Sequence, residues 1–236
     1  GDVVYQSDRV AIYEAVLHER LSQISYACHC SRKQLDAHRL SNPVPHGLNS
    51  PIIYPRLCLH KHHDWQHPDS KIRLQLPDVM TAFVDGIQGV IWDNPAKSLG
   101  DVVVKRQNQM FNYILACAID DGLQGITHIM RGIDIMPMTV AQIDILKLCQ
   151  LPVPSYFYHL PLLYGDNGQK LSKQNLAAPI DTTQPAKLLY QALTLLDQDT
   201  TPEMLSATPS EILVHAISHW DHTPLMRQHK LPSNIS

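Results

Sequence analysis

The sequence predicts an α/β protein with an irregular, cysteine-bearing insertion and a helical carboxy-terminal segment. Three observations carry that expectation. A strand, a helix and a second strand follow one another between residues 126 and 164. A proline- and histidine-rich stretch at 41–70 interrupts the regular pattern before them. Two segments with helix-start signals, opening at Pro185 and Thr208, follow them.

The elements are read in order. Ser7 is placed to cap a helix running to about Leu21, with Val10, Tyr13, Val16, Leu17 and Leu21 as its apolar stripe. Ser31 and Gln34 have the spacing of a capping box for a short helix. Residues 41–70 read as an irregular insertion. KIRLQL (71–76) alternates like a strand, and AFVDGIQGVIW (82–92) reads as a strand pair turning near Gly86. VVVKR is a further short strand. ILACAI (114–119) is a continuous apolar run, as expected of a strand covered on both faces, and ITHIM (126–130) is another strand. Thr139 and Gln142 form a capping-box pattern that opens a helix to Cys149. SYFYHLPLLY (155–164) returns as a strand and completes a βαβ unit. In the tail, Pro185 precedes the helix KLLYQALTLL, and Thr208, Pro209 and Glu211 open the helix EILVHAISHW. No internal repeat or low-complexity segment is present.

The 236 residues are 44% hydrophobic and 17% charged, with a net charge of −3. That composition suits a globular protein and argues against a wholly basic nucleic-acid surface, while leaving room for a local one. No apolar run is long enough to span a bilayer, so no membrane partner is expected. The five cysteines are unevenly spaced, which fits a reduced cytoplasmic protein better than a disulfide framework. Cys117 and Cys149 lie in apolar runs and read as small core residues. The chain opens at Gly1 without a signal peptide, and GDVVYQ reads as the continuation of an upstream unit.

Two patterns carry chemistry. The first is GQKLSKQN (168–175), which follows the last strand of the βαβ unit. Lys170, Ser172 and Lys173 there suit either a solvated turn or a clamp on phosphate, and ligands of open α/β sheets collect beyond strand carboxyl ends. The second is Cys28-His29-Cys30 with Cys58 in the insertion. Three thiolates and one further donor make a tetrahedral zinc site, and spacing leaves the fourth ligand open among neighbours that include His60, His62 and His63. Three unrelated cysteines are the alternative.

Residues 124–175, QGITHIMRGIDIMPMTVAQIDILKLCQLPVPSYFYHLPLLYGDNGQKLSKQN, resemble the second half of the catalytic domain of glutamyl-tRNA synthetases, and KLSK is similar to the KMSKS-type loop of these class I enzymes. Three departures point to one branch. Gln174-Asn175 stands where the ordinary enzymes tend to have Arg-His, little chain follows for an anticodon-binding domain, and the insertion carries C-x-C and Y-x₃-C. All three match the glutamyl-queuosine tRNA(Asp) synthetases, short paralogues of the glutamyl enzyme. The resemblance runs from YQSDR onward.

It implies a Rossmann-type class I fold, with residues 1–27 and 101–175 as a partial catalytic domain, 28–100 as a zinc-binding insertion and acceptor-type subdomain, and 176–236 as a helical segment. It implies structural Zn²⁺ on Cys28, Cys30, Tyr54 and Cys58. Lys170, Ser172 and Lys173 would bind ATP, with Lys173 stabilising the phosphates as the catalytic residue. Tyr113 and Arg131 would contact glutamate. Read without the family, Arg131 suits equally an ion pair with Asp134, and Tyr113 a place in the core. The implied partners are L-glutamate, ATP with Mg²⁺ as substrate, and queuosine-containing tRNA(Asp), met by a cytoplasmic monomer. Lys105, Arg106, Lys170, Arg227 and Lys230 are the basic candidates for RNA phosphates. The family's HIGH-type ATP motif belongs before GDVVYQ, so the chain alone is expected not to make glutamyl-adenylate. A glutamyl-tRNA synthetase cut at both ends and a non-catalytic zinc or RNA-binding remnant are the rival readings.

Overall fold

A computed structural model describes residues 3–41, 53–165, 168–171 and 180–232. The chain divides into two compact units. One comprises the chain up to Phe83, Trp92–Thr127 and Pro137–Ser155; the other comprises Val84–Ile91, His128–Met136 and the chain from Tyr156 onward.

The first unit is built on a three-stranded antiparallel sheet of β1 (Ser25–Cys28), β2 (Lys71–Leu74) and β5 (Val102–Lys105), with β2 in the centre. The pairing of β2 with β5 slips between Ile72 and Arg73. Helices α1 (Val10–Arg20), α4 (Tyr113–Leu123) and α5 (Met136–Leu148) contribute Tyr13, Leu17, Leu115, Ile119, Ala141 and Ile145 to one core with Ile72, Leu74 and Val104 of the strands. The short helix α2 (Arg32–Ser41) opens with the expected capping box. Gln34 N–H donates to Ser31 Oγ at 3.2 Å, and Ser31 N–H donates to Gln34 Oε1 at 2.7 Å. Residues 53–70 contain turns but neither helix nor strand, as expected for the insertion.

Three expectations fail here, each for a local reason. ILACAI is not a strand but the body of α4, buried at Ile114, Leu115, Ala116, Ala118 and Ile119. A run that is apolar on every side suits a buried helix as well as a buried strand, and periodicity cannot separate them. Close packing then decides: a Cβ on Gly122 would lie 2.6 Å from Leu146 Cδ2 and 2.9 Å from Leu151 Cβ. Helix α5 starts at Met136 rather than Thr139, with Pro137 in its first turn; Thr139 is fully buried within it. Ser7 does not cap α1, because a 3₁₀ turn at Gln6–Arg9 precedes that helix. Gln6 Nε2 (3.0 Å), Arg9 Nε (2.6 Å) and Tyr13 Oη (2.7 Å) all donate to the carboxylate of Asp120 on α4, so a tertiary anchor sets the helix entry. Burial and that carboxylate push the Tyr13 phenol up to about 12, which keeps it a donor.

The second unit contains the ends of β3 (Thr81–Asp85) and β4 (Gly89–Asp93), β6 (His128–Gly132) and β7 (Tyr156–Leu160), in the order β4-β3-β7-β6. The hairpin from β3 to β4 turns at Gly86 as expected, and Gly89 follows with φ of +84°. β6 and β7 pair in parallel from His128 opposite Tyr156 to Gly132 opposite Leu160, and α5 lies between them in sequence, so the βαβ expectation holds. The strand expected over 155–164 breaks at Pro161, which has no N–H to give to a ladder. Its second piece, β8 (Leu162–Tyr164), pairs instead with β9 (Lys230–Pro232). Helices α6 (Pro185–Leu195) and α7 (Pro209–Ser218) bury Leu193 and Ile212 with Met204. A reciprocal capping box between Thr208 and Glu211 opens α7, as its sequence predicted. The remaining short helix, α3 (Pro95–Ser98), follows β4.

Candidate active site and thiol cluster

In the first unit, β1 carries Cys28 to the end of the sheet, and the chain turns at Cys30 into α2. The insertion returns Tyr54 and Cys58 to the same spot. The three Sγ atoms lie within 4.8 Å of one another, with Cys30 and Cys58 at 3.4 Å. Tyr54 Oη is 3.3 Å from both Cys28 Sγ and Cys30 Sγ, and accepts from Cys58 N–H at 3.1 Å. Four donors thus stand about one van der Waals contact apart around a common centre. The edge of a tetrahedral Zn–S₄ site is about 3.8 Å for bonds of about 2.3 Å, so the donors fit zinc with a small expansion. Their chemistry fits as well, since soft thiolates select zinc-like ions.

The electrostatics prepare that arrangement. The Cys28 thiol is opposed by burial, yet hydrogen bonds with Tyr54 and Arg73, the Cys30 backbone and the Arg73 charge bring it down to about 7. Burial and the neighbouring thiols push Cys30 up to about 11, against the Tyr54 hydrogen bond. Burial and hydrogen bonds with the three cysteines push the Tyr54 phenol far above its ordinary value. Protons held this way would leave on metal binding. The Arg73 guanidinium lies 3.6 Å over the Tyr54 ring centroid, and Nη1 donates to Asp101 O at 2.7 Å. The Asp101 carboxylate in turn accepts from Tyr26 Oη (2.6 Å) and from Arg56 Nε and Nη2 (3.0 and 2.9 Å). Neither Arg73 nor Asp101 was singled out by sequence; each reaches the cluster only through sheet pairing.

The other site residues divide between the units. Tyr113 is the first residue of α4 in the first unit and is 41% exposed, so it opens a helix rather than a strand and is not in the core. Arg131 lies on β6 in the second unit. Its Nε–H donates to His159 Nε2 at 3.2 Å. His159, on β7, is fully buried, and its Nδ1 is 2.6 Å from Asp85 Oδ2. Nε2 accepts from arginine, which places the ring proton on Nδ1, donated to Asp85. Asp85 Oδ1 accepts from the backbone N–H of Ile87 (3.0 Å), Gln88 (2.9 Å) and His159 (3.2 Å). Burial opposes the Asp85 carboxylate, but His159 and these three N–H groups hold it below the usual carboxylate range. Gln88 Nε2 closes the support on His159 O at 2.9 Å. Asp85 and His159 were not anticipated as site residues. The only sequence signal is a polar residue at an inward position of each of two apolar strands.

Lys170 ion-pairs with Asp134. The chain reaches it by a tight return in which Gly168 N–H donates to Gly165 O (2.8 Å), Gly165 N–H to Gln169 O (3.0 Å) and Leu171 N–H to Leu163 O (2.9 Å). Gly168 has φ of +71°, a conformation that favours glycine. Ser172 and Lys173 lie outside the described residues.

The family model for class I tRNA synthetases (E and Q), catalytic domain, matches residues 1–198. The glutamyl-Q tRNA(Asp) synthetase of Pseudomonas putida (strain GB-1) is 35% identical over 233 residues, 98% of this chain and 74% of that protein. That of Pseudomonas aeruginosa PAO1 is 36% identical over the same span, with the same coverage. The chain belongs to the glutamyl-Q tRNA(Asp) synthetase family of class I tRNA synthetases. A glutamate tRNA ligase from Elizabethkingia meningosepticum, solved in complex with its amino acid, superposes with a TM-score of 0.66 at 19% identity. That match covers 99% of this chain and 52% of the other, and at this identity it shows the fold alone. Within a glutamyl-Q synthetase fold, the parallel β6–β7 pair carries Arg131 and His159, and the return after β8 carries Lys170.

Proposed function

We infer that this protein activates L-glutamate with ATP and transfers it to queuosine in the anticodon of tRNA(Asp). The single observation that carries the reading is 34–36% identity over 98% of the chain to proteins of that name. The first step is attack of the glutamate carboxylate on the α-phosphate of ATP, with pyrophosphate leaving. The attacking group is already ionised, so no general base is required, and the protein's part is positioning and charge stabilisation. The second step passes the glutamyl group to the cyclopentene ring of queuosine and releases AMP.

Within that reading Arg131 binds a glutamate carboxylate, since a guanidinium makes a bidentate pair with it. The Asp85–His159 support holds Arg131 Nε and so aims the rest of the guanidinium. Tyr113 offers its hydroxyl to the substrate. Lys170 and Ser172 contact ATP, and Lys173 acts on the phosphates. Lys71 and Arg106 line a depression of about 420 Å³ with Gln107 and Asn108, a suitable place for an RNA phosphate. Cys28, Cys30, Tyr54 and Cys58 would hold Zn²⁺, which with four protein ligands supplies structure rather than chemistry.

The test uses labelled glutamate, ATP and purified tRNAs with the full natural protein. Label is expected on queuosine-containing tRNA(Asp), and not on queuosine-free tRNA(Asp) or tRNA(Glu). Label on the 3′ end of tRNA(Glu) would overturn the assignment.

A further inference from the structure

We propose a second metal site, for a divalent transition cation such as Zn²⁺, Co²⁺ or Ni²⁺, on His215, His219 and Asp199 in the carboxy-terminal helical segment. It has no part in the activity described above and lies in the other unit from the thiol cluster.

Helix α7 supplies His215, and its C-cap residue is His219, so one helix end carries two of the three donors. His215 and His219 are one turn apart, at the i and i+4 positions that share a helix face. His219 N–H still donates to His215 O at 3.1 Å, so that turn is helical to its end. The two imidazole rings stack with centroids 4.1 Å apart and planes 19° from parallel. Neutral imidazole is the form that binds metal. Asp199 brings a carboxylate to the same face, with Oδ2 3.2 Å from His215 Nε2. The three donor atoms lie within 4.8 Å of one another. Around a tetrahedral ion with bonds of about 2.0–2.1 Å the donors stand about 3.3 Å apart, a closure that side-chain rotation alone can supply.

The third donor is held in place by the fold. Asp199 sits on the link between α6 and α7. Its neighbour Gln198 is buried, and Nε2 donates both to Leu196 O (2.8 Å) and to Asp221 O (2.7 Å), while Oε1 accepts from Asp221 N–H (3.0 Å). Gln198 therefore ties the turn before Asp199 to the segment just beyond His219. This clamp fixes the backbone before Asp199 opposite the histidine pair without help from a metal, which lowers the ordering cost when one binds. The ligand class follows from the donors. Two imidazoles and one carboxylate suit borderline transition ions, while Mg²⁺ and Ca²⁺ want oxygen. Asp199 and His219 are exposed, which leaves the remaining coordination position to water.

Cobalt separates this site from the thiols. Co²⁺ is titrated into the folded protein, followed by optical absorption and by NMR of the histidine ring protons. Thiolate-bound cobalt gives intense sulfur-to-metal charge transfer; cobalt on imidazole and carboxylate does not. The expected result is a binding event without charge transfer that broadens the ring signals of His215 and His219. His215→Ala and His219→Ala should each weaken that event by about tenfold or more, about 1.4 kcal/mol per decade, and Asp199→Asn by less. The thiolate bands and circular dichroism should be unchanged in all three. His215→Gln and His219→Gln serve as polar controls that keep the helix face hydrated and should weaken binding in the same way. Unbroadened ring signals in the folded wild type, or a double His→Gln variant that titrates like it, would overturn the proposal.

Discussion

The thiol cluster and the Arg131 support are both buried polar assemblies, yet they are made in opposite ways. In the first, four donors of like tendency are pressed together: three thiols and a phenol in close contact, with the Cys30 and Tyr54 protons held more tightly than in water. Without a cation such a set has more lone pairs than protons to share. In the second, each donor meets a complementary acceptor, from Arg131 through His159 to Asp85 and on to three backbone N–H groups. That chain needs nothing from outside. The difference teaches how to tell a site built for a ligand from one built to hold a side chain. The first is under-determined until something binds; the second is satisfied alone.

The largest effect should come from the cluster. Cys58→Ser is expected to empty the thiol site, lowering elemental zinc by one per chain, and to unfold the insertion, since structural zinc contributes on the order of 10 kcal/mol to sites of this kind. A metal-free wild type would end the contrast between the two regions. Next in size, Asp85→Ala leaves a buried imidazole N–H and three backbone N–H groups without their acceptor. A loss of about 3–5 kcal/mol in urea unfolding is expected, with zinc content unchanged. A variant as stable as wild type would mean that the chain from Arg131 to Asp85 carries no tension of charge.

Acid sharpens the same point. The Asp85 carboxyl is held below its unfolded value, so its contribution to stability is present above about pH 4 and is lost as pH falls through the folded value. Asp85→Asn should remove that part of the acid-side fall, measured as unfolding free energy against pH. Tyr54→Phe tests the phenol as fourth ligand: zinc affinity should drop by about tenfold or more, about 1.4 kcal/mol per decade, whereas His60→Ala should leave it unchanged. The smallest expected effect is at the rim of the cluster, where Ser31→Ala removes the cap of α2 and should cost about 1 kcal/mol, seen as a lower Tm with the metal retained.

Much of this was legible in the residues. The C-x-C pair and Cys58 stand out because cysteine is scarce, Tyr54 came from the resemblance, and the fold brings the four together. The β6–α5–β7 succession and the helices α2, α6 and α7 follow from local signals, because a cap or a proline acts on its own few neighbours. The continuous apolar run 114–119 misled, since burial on all sides erases the period that separates helix from strand. The start of α1 misled because Asp120, more than a hundred positions away in sequence, outbids a local cap.

By itself, then, the sequence determined what depends on short range or on rare residues: the α/β class, the family, the cysteines of the thiol cluster, and the starts of α2, α6 and α7. The tertiary structure decided what depends on pairing across the chain. Only the register of β3, β6 and β7 puts Asp85, His159 and Arg131 in line, only sheet pairing lays Arg73 over Tyr54, and only the Gln198 clamp sets Asp199 opposite two histidines. The physical reason is one of range. Propensity and capping act over a single turn, whereas a buried polar contact is fixed by the low-dielectric core that forces its partners to find each other.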